Sequence, residues 1–471
     1  MKKIIYILTF TAGSYLVTGC KKSYLELKPY DQVALDIAIT TEGDMQAATN
    51  GIYSALRNNT LYGRDIQLRG DLLADNIYIS ATNSNRFLEY FQLNYNALSA
   101  SVSGNWNSSY ATILRANNVI NSSLTGNANI NQYRGEALAM RAMVYFDLVK
   151  QYAKPYAAAT AATDLGVPLV LTYDPTVKPK RNTVKEVYDQ IEKDLQAAIP
   201  LLTDRAPYSA GYANKNTAKA LLARLYQFKG DWAKALTNAQ DVINNGGYSL
   251  TTLANYAAYW SNANLRTDKQ ETIFELGFDP NGNAGLESLP YFFSQVGYGD
   301  GLATDDLFQA YSATDLRRTL MVDAVRGGKN VKVINKYPNN NNYTIKVVRL
   351  SEVYLIAAEA SYQTGNIPQA LTYVNQVATR RDAAFAGYAS GGAQVLEDIL
   401  TERRKELAFE GHRFWDLVRY NRDVVRVNVN GNYPSNVPLT IAKDNFRRIL
   451  PIPQAELDAN PNIKPQQNTG Y

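Results

Sequence analysis

The chain has 471 residues, a formal net charge of +5 at pH 7, 34 tyrosines, one histidine and one cysteine. A single cysteine excludes an intrachain disulfide, a CxxC redox pair and a cysteine-rich zinc site. The basic residues are spread along the sequence and not gathered in one element, which argues against a nucleic-acid partner.

The first twenty residues have the pattern of an export signal. Lys2 and Lys3 precede an apolar run from Ile4 to Phe10, and a second short run follows at residues 15–17. The apolar part is shorter than the roughly 20 residues that a membrane-spanning helix needs. We therefore interpret residues 1–19 as a signal peptide that is removed from the mature protein.

The cysteine lies where a bacterial lipoprotein signal peptidase would cut. Thr18 and Gly19 are small residues directly before Cys20. We predict that Cys20 becomes the lipidated N-terminus and anchors the protein to a membrane. An ordinary signal peptide with a chance cysteine near the cut is the alternative.

Apolar residues recur at three- and four-residue steps along much of the chain, which predicts that residues of about 41–245 and 347–425 are mostly helical. The individual helices are predicted over 41–59, from Gly104 through Ile120, and over 131–150, 217–228 and 232–243. Thr183 is followed three residues later by Glu186, which predicts a capping box at the start of a further helix.

Two predicted helical hairpins share a weak internal repeat. In each hairpin, two alanines lie the same number of positions apart with a glycine turn between them. The first hairpin has Ala223, Gly230 and Ala235, and the second has Ala358, Gly365 and Ala370. This spacing is typical of tetratricopeptide repeats, and two unrelated hairpins are the alternative. Fewer than three clear repeats do not support a solenoid, so we expect both hairpins inside one larger domain.

Helical spacing fades between about residues 246 and 346, where glycine, asparagine, aspartate and aromatic residues dominate. Aromatic residues beside glycines lack the spacing that would place them in a core, and exposed rings on loops usually have a partner. We therefore predict a loop-rich lobe that carries a ligand site. Trp106, at the start of a predicted helix, could lie at its rim or could plug a junction between two helices.

The carboxylates that could form a glycosidase pair have simpler explanations. Glu402, Glu406 and Glu410 recur among arginines at a spacing typical of salt bridges. Asp305 and Asp306 precede an apolar pair, where the start of a helix is the commoner explanation.

Other catalytic and metal chemistry is equally poorly supported. His412 is the only histidine, so no Ser-His-Asp or Cys-His set is convincing, and we expect this side chain to be packed. Calcium could bind near Asp300, but the EF-hand spacing is missing. We predict a binding protein that is not an enzyme, with no cofactor and no obligatory metal.

The chain resembles the SusD/RagB family over nearly the whole predicted mature part. The residues that carry the resemblance are Cys20, Trp106-x-x-x-Tyr110, Glu136-Ala137-x-Ala139-x-Arg141-Ala142, Thr183-Val184-x-Glu186-Val187-Tyr188, Ala220-Leu221-Leu222-Ala223-Arg224, Arg349-Leu350-x-Glu352-Val353-Tyr354, Glu402-Arg403-x-x-Glu406-Leu407, Pro451-Ile452-Pro453 and Gln467-Asn468-x-Gly470-Tyr471. Each string is weak alone, and their order along the chain makes coincidence improbable.

The resemblance implies a mostly α-helical SusD-like fold, in which four tetratricopeptide-like helix pairs support an irregular lobe with the ligand site. It implies a single domain over residues 20–471 with a C-terminal tail over 426–471. It also implies a lipid anchor in the outer membrane, facing the cell exterior, and a SusC-like TonB-dependent β-barrel transporter as partner. Lys21 and Lys22 depart from the acidic residues that exported relatives often carry after the cysteine.

Members of this family bind oligosaccharides, while the RagB branch is associated with peptides. A peptide-binding lipoprotein and a protein-interaction scaffold without a small ligand are therefore the alternatives. A sugar ring has an apolar face and an equator of hydroxyl groups, so its site combines flat aromatic surfaces with hydrogen-bonding side chains. The predicted ligand-binding residues are Asn83, Trp106, Trp260, Tyr291, Phe292 and Tyr298.

Overall fold

The computed structural model describes residues 39–337, 341–428 and 431–471. The predicted signal peptide and the lipidation site at Cys20 lie outside these ranges. Within them, no helix is both long enough and apolar enough to cross a lipid bilayer.

Helices make up most of the regular structure. In chain order the α-helices are α1 Glu42–Leu56, α2 Asp65–Leu72, α3 Leu88–Phe91, α4 Ala100–Ile120, α5 Ala128–Tyr152, α6 Val184–Ala198, α7 Lys215–Lys229, α8 Trp232–Asn245, α9 Tyr256–Ser261, α10 Leu289–Phe293, α11 Asp305–Gln309, α12 Leu350–Gln363, α13 Ile367–Ala378, α14 Gln394–Glu406, α15 Arg413–Arg419 and α16 Gln454–Ala459. The mostly helical class predicted from the sequence is confirmed.

Local signals set the ends of several helices. Thr183 and Glu186 close the predicted capping box at the start of α6. Gly230 ends α7 in the left-handed conformation, at φ +71°, which a residue with a side chain adopts less readily. The helix α4 begins at Ala100 and not at Gly104, because its first turn is mostly small and polar and lacks the apolar spacing used for the prediction.

Neighbouring helices pack side by side into one body. α5 packs against α4 and α6, α7 packs against α8, and α12 packs against both α8 and α13. The two predicted hairpins therefore meet through α8 and α12. Their small residues are fully buried and allow the helices to approach closely, namely Ala223, Ala235, Ala358 and Ala370. Their assignment as tetratricopeptide repeats stays a prediction.

The strands are β1 Ile77–Ile79, β2 Thr272–Phe278, β3 Gly301–Ala303, β4 Met321–Arg326, β5 Lys329–Ile334, β6 Tyr343–Arg349, β7 Val424–Val425 and β8 Thr440–Ile441. One antiparallel sheet has the order β1-β3-β5-β4, β2 pairs with β6, and β7 pairs with β8. Pairing of Ile79 with Gly301 brings the loop after β1 beside the segment that precedes β3.

The expectation that residues 246–346 are irregular, with exposed aromatic rings, is wrong for much of this segment. It contains most of the strands, and its buried rings include Phe274, Phe278, Phe292, Phe293 and Tyr337. β2 and β6 are buried on both faces, so they lack the alternation of apolar and polar residues that identifies a strand. Even Glu275 and Lys346 lie inside, with 3.5 Å between Oε2 and Nζ.

A buried cluster of ion pairs joins the helices to β6. Arg349 Nη1 lies 3.0 Å from Glu271 Oε1 and 2.9 Å from Glu406 Oε1. Arg381 Nη2 contacts the same two oxygens at 3.1 and 3.0 Å. Burial alone would raise the pKa of Glu406, but the surrounding arginines outweigh it and hold this pKa well below its usual value. The interpretation of Glu402, Glu406 and Glu410 as salt-bridge residues is confirmed, since each of them pairs with an arginine.

The C-terminal tail is fixed across the helical body. Ile452 and Ile463 are fully buried. Arg181 donates hydrogen bonds from Nη1 to the carbonyl oxygen of Gln466 at 2.7 Å and to Asn468 Oδ1 at 2.9 Å. Burial lowers the pKa of Arg181 to about 10. The tail is therefore part of the packed structure.

Candidate ligand-binding site

The short helix α10 separates the aromatic residues of one predicted site segment. Ser288 caps this helix by accepting a hydrogen bond from the backbone N–H of Tyr291 at 3.3 Å. Phe292 and Phe293 then point into the core, where both are buried, while Tyr291 stays half-buried at the surface. The helix thus leaves one ring of the three available to solvent.

A tight return of the chain brings Tyr298 against Tyr291. The backbone N–H of Tyr298 donates to the carbonyl oxygen of Tyr291 at 3.0 Å, and the two rings meet edge to face with centroids 5.2 Å apart. A Cβ on Gly297 would overlap that carbonyl group, and Gly299 has φ +57°. Glycine is therefore needed at both positions for this return.

Arg86 lies on the ring of Tyr298. Its Cζ atom is 3.5 Å from the ring centroid, and Nη2 donates to Tyr298 Oη at 2.6 Å. Arg86 Nη2 also lies 3.1 Å from Glu287 Oε1, and both side chains are partly exposed. Hydrogen bonds from Arg64 and Arg86 outweigh the effect of burial and lower the pKa of Glu287. We call Asn83, Arg86, Glu287, Tyr291 and Tyr298 the tyrosine surface.

One buried carboxylate joins the two chain segments of this surface to the end of β4. Asp300 is fully buried and accepts hydrogen bonds from the backbone N–H of Ser84, at 3.2 Å to each oxygen, and from the Ser84 hydroxyl. Arg326, at the end of β4, lies 3.0 Å from the same carboxylate. Asp300 thereby positions the loop of residues 80–87 against the Tyr291–Tyr298 segment. A metal is not needed to explain this aspartate.

The loop of residues 80–87 has an unusual backbone. Asn85 and Phe87 have φ of 64° and 56°, in the left-handed region that residues with side chains rarely adopt. Asn83 shapes this loop, because Nδ2 donates to the carbonyl oxygen of Ser80 at 2.7 Å and Oδ1 accepts from the N–H of Asn85 at 2.7 Å. Strained backbone of this kind clusters at functional sites.

Trp106 lies outside the tyrosine surface. It is buried, donates from Nε1 to Glu456 Oε2 at 3.3 Å, and packs edge to face on Tyr152 with centroids 5.0 Å apart. The ring therefore plugs the junction of α4, α5 and α16, which is the second of its two interpretations. It borders a separate groove of about 460 Å³, together with Tyr110.

Trp260 and Phe292 are also buried, so the expectation of exposed rings is wrong for them. Trp260 covers the ion-pair cluster, with Lys336 Nζ 4.3 Å and Arg349 Cζ 5.2 Å from its ring. Phe292 supports the tyrosine surface from below through an edge-to-face contact with Phe87, at 5.6 Å between centroids. A ligand role for Asn83, Tyr291 and Tyr298 stays a prediction.

Sequence reasoning missed Arg86, Glu287 and Asp300 as parts of one surface. Arg86 and Glu287 are far apart in the chain, and their pairing depends on the β1–β3 contact. Two signals were present in the sequence: the polar run Asn83-Ser84-Asn85, and the glycines on either side of Tyr298. Neither identifies the partner segment.

The candidates for catalysis occupy structural positions. His412 Nδ1 lies 3.9 Å from Glu352 Oε1, and burial lowers the pKa of His412 to about 4. Asp306 lies in the first turn of α11 and pairs with Arg404 at 2.7 Å. Among the residues with described positions, no three histidine, cysteine, aspartate or glutamate side chains are grouped so that they could hold a metal ion.

The tyrosine surface is suited to binding, since aromatic rings and hydrogen-bonding groups lie side by side without a paired nucleophile and base among its five residues.

Comparison with known proteins shows the family to which the chain belongs. A family model described as "SusD family" matches residues 321–471, and one described as "Starch-binding associating with outer membrane" matches residues 23–227.

The chain is 30% identical to SusD-like protein P2 of Formosa agariphila over the whole length of both chains. It is 31% identical to a SusD superfamily protein of Bacteroides thetaiotaomicron, with TM-score 0.83, over 91% of this chain and all of that one. A putative sugar binding protein of Bacteroides vulgatus is 32% identical, with TM-score 0.81, over 92% and 99% of the two chains. The protein belongs to the SusD/RagB family.

Proposed function

We propose that this protein captures oligosaccharides at the tyrosine surface. The observation that carries the proposal is the arrangement of Tyr291, Tyr298 and Arg86. The two rings offer apolar edges and faces to the C–H groups of a sugar, and the stacked guanidinium places N–H donors at their border. Glu287 adds carboxylate oxygens that can accept hydrogen bonds from hydroxyl groups.

A family model and one similar protein support a sugar as the ligand. The family model over residues 23–227 is described as starch-binding, and the relative from Bacteroides vulgatus is named a putative sugar binding protein. A site of this kind binds weakly for each ring, in the micromolar to millimolar range, or roughly −4 to −8 kcal/mol. Weak binding suits a protein that must release its ligand.

We further propose that the protein is anchored by a lipid at Cys20 in the outer membrane, faces the cell exterior and delivers its ligand to a SusC-like TonB-dependent transporter. The family description "associating with outer membrane" supports this location. Anchoring both proteins in one membrane raises the local concentration of each for the other, so a modest affinity between them is enough.

Calorimetric titration of the protein against a panel of neutral oligosaccharides and a panel of peptides tests the ligand class. We expect saturable binding of at least one oligosaccharide. Binding of peptides alone contradicts a sugar-binding function and favours the RagB-type alternative. Binding of neither, together with copurification of another protein, favours a scaffold.

A further inference from the structure

A cavity away from the tyrosine surface has more basic than acidic side chains in its lining. It has a volume of about 680 Å³ and lies between the end of α5, the helix α15 and the C-terminal tail. We call it the Arg448 cavity. Four basic and two acidic residues line it, namely Lys150, Lys154, Lys443 and Arg448 against Asp164 and Asp444. Its volume is in the range of small-molecule sites.

Arg448 is buried in this wall without a partner. Its relative exposure is 8%, and its guanidinium makes no hydrogen bond or ion pair with any residue that the structure describes. The ring of Phe414 lies near it, with 5.6 Å between the ring centroid and Cζ. Burial lowers the pKa of Arg448, and the carboxylates of Asp423 and Asp444 offset this effect only in part.

Two other buried arginines, Arg181 and Arg426, are held by carbonyl oxygens. Arg181 donates from Nε to the carbonyl oxygen of Gly166 at 2.7 Å and from Nη2 to that of Tyr152 at 3.0 Å. Arg426 donates from Nε to Ala74 at 3.0 Å and from Nη1 to Phe91 at 2.7 Å, again to carbonyl oxygens. Both hold chain segments together. Arg448 has no such structural role, and a guanidinium without an acceptor is suited to receive an anion.

Two of the three lysines in the lining are paired with aspartates. Lys154 Nζ lies 2.7 Å from Asp164 Oδ1, and Lys150 Nζ lies 3.0 Å from Asp147 Oδ1. Asp164 is therefore neutralised by Lys154. Lys443 is exposed at the edge and adds a further cation. The remaining carboxylates are Asp444 in the lining and Asp423 outside it, and both attract Arg448.

The cavity is larger than a bare ion requires. Trp415 and Phe446 line it, and Phe446 is 40% exposed. A second cavity of about 450 Å³ shares Lys150, Trp415 and three further lining residues with it, so the two form one cleft. The cleft has room for a molecule that carries an anionic group on a larger frame with an apolar face.

We propose that the Arg448 cavity binds an oxyanion, either a carboxylate or a sulfate group, carried by a sugar. The guanidinium of Arg448 would donate charge-assisted hydrogen bonds to the group. The anionic character of the ligand stands on the cavity alone, whereas the sugar frame rests on the proposed function.

Calorimetric titrations with glucose, glucuronate and glucose 6-sulfate test this site, because the three sugars share one ring and differ in charge. We expect the charged sugars to bind at least tenfold more tightly than glucose, and Arg448→Gln to remove that preference. Arg422→Gln is the matched control, since it removes an arginine that pairs with Glu397 outside the cavity. It should leave the preference unchanged.

The melting temperature shows separately whether Arg448→Gln has lost stability. Because Arg448 has no partner, Arg448→Gln should melt at or above the temperature of the parent protein. If it melts lower, the double variant Lys154→Gln, Lys443→Gln, at the exposed edge, should still weaken binding of both charged sugars at least threefold.

Three results would overturn the proposal. They are equal affinity for all three sugars, unchanged affinity in both cavity variants, and binding of inorganic sulfate without binding of either charged sugar. Failure of the tyrosine surface is distinguishable, because Tyr291→Ala should alter binding of neutral oligosaccharides and leave the charged monosaccharides unaffected.

Discussion

Tyr291 and Tyr298 differ from their aromatic neighbours in how much of each ring reaches solvent. Both are half-buried, while Phe292, next to Tyr291 in the chain, is fully enclosed. We predict that Tyr291→Ala or Tyr298→Ala weakens binding of a neutral oligosaccharide by about 1 kcal/mol or more, because a ring removed from a half-exposed site loses its contact with the ligand. Calorimetric titration of each variant measures the effect.

The matched control is Phe292→Ala, which removes a ring of similar size from the core. We expect it to lower the free energy of unfolding by about 3–5 kcal/mol, and Trp106→Ala to act likewise because Trp106 is buried. The tyrosine variants should melt close to the parent. If both tyrosine variants melt far lower while their folded fraction binds normally, these rings are core residues and the site lies elsewhere.

His412 makes the stability of the protein depend on pH. Burial outweighs the attraction of Glu352 and holds the pKa of His412 at about 4, below the ordinary 6.5. Between these pH values the unfolded chain binds a proton that the folded protein does not. The contribution of His412 to stability is therefore lost as the pH falls from about 6.5 to 4.

We predict that His412→Asn gains stability relative to the parent over this pH range. About a fifth of the side chain is exposed and screened by water, so we expect a gain of about 2 kcal/mol. Asp71, whose burial raises its pKa to about 6, has the opposite pH dependence. It is present in both proteins and cancels in the comparison. Denaturant unfolding of both proteins at pH 7.5 and pH 4.5 measures the difference. An equal change in the free energy of unfolding of the two proteins between these pH values would contradict the prediction.

At the scale of elements, the loop of residues 80–87 depends on Asp300 for its position. We predict that Asp300→Asn removes the carboxylate partner of Arg326, lowers the free energy of unfolding by about 3 kcal/mol and loosens the loop. Hydrogen exchange of the amides of residues 82–87 should become faster, and oligosaccharide binding should weaken because Arg86 is displaced from Tyr298.

Asp323→Asn is the matched control for this change. Asp323 lies on β4 in the same sheet, is paired with Lys332, and its side chain is 81% exposed. Exposed pairs contribute little, so this variant should behave as the parent. Identical rates of amide hydrogen exchange in residues 82–87 of the Asp300 and Asp323 variants would show that Asp300 does not position this loop.

The helices could be predicted from the sequence better than the strands. Capping residues such as Thr183 and Glu186 act on their own helix, so local sequence is sufficient. β2 and β6 instead contain Glu275 and Lys346, which are buried only because they pair across the strands. Two features of the site region also depend on contacts between distant segments of the chain. Glu456 covers Trp106, and Arg86 contacts Tyr298.

At the scale of the whole molecule, the proposed location depends on the lipid at Cys20. We predict that Cys20→Ala releases the protein from membranes, because the variant has no cysteine to carry the lipid. Fractionation after a high-salt wash, followed by immunoblotting, measures the change. Ser23→Ala, three residues away, should remain in the membrane fraction. A Cys20 variant that stays in the pellet would contradict lipid anchoring.

Delivery to a transporter requires that the two proteins form a complex. We predict that the protein copurifies with a β-barrel transporter from outer membranes dissolved in mild detergent. Isolation as a lone monomer in several mild detergents would count against this partner.

Capture of a sugar at the tyrosine surface is the central claim, and a crystal structure of the protein with a bound neutral oligosaccharide tests it most directly. We predict density for a sugar ring in contact with Tyr291 and Tyr298, with a hydroxyl group within hydrogen-bonding distance of Arg86 or Glu287. Density for the oligosaccharide elsewhere, such as the groove beside Trp106, with Tyr291 and Tyr298 uncovered, would contradict the claim.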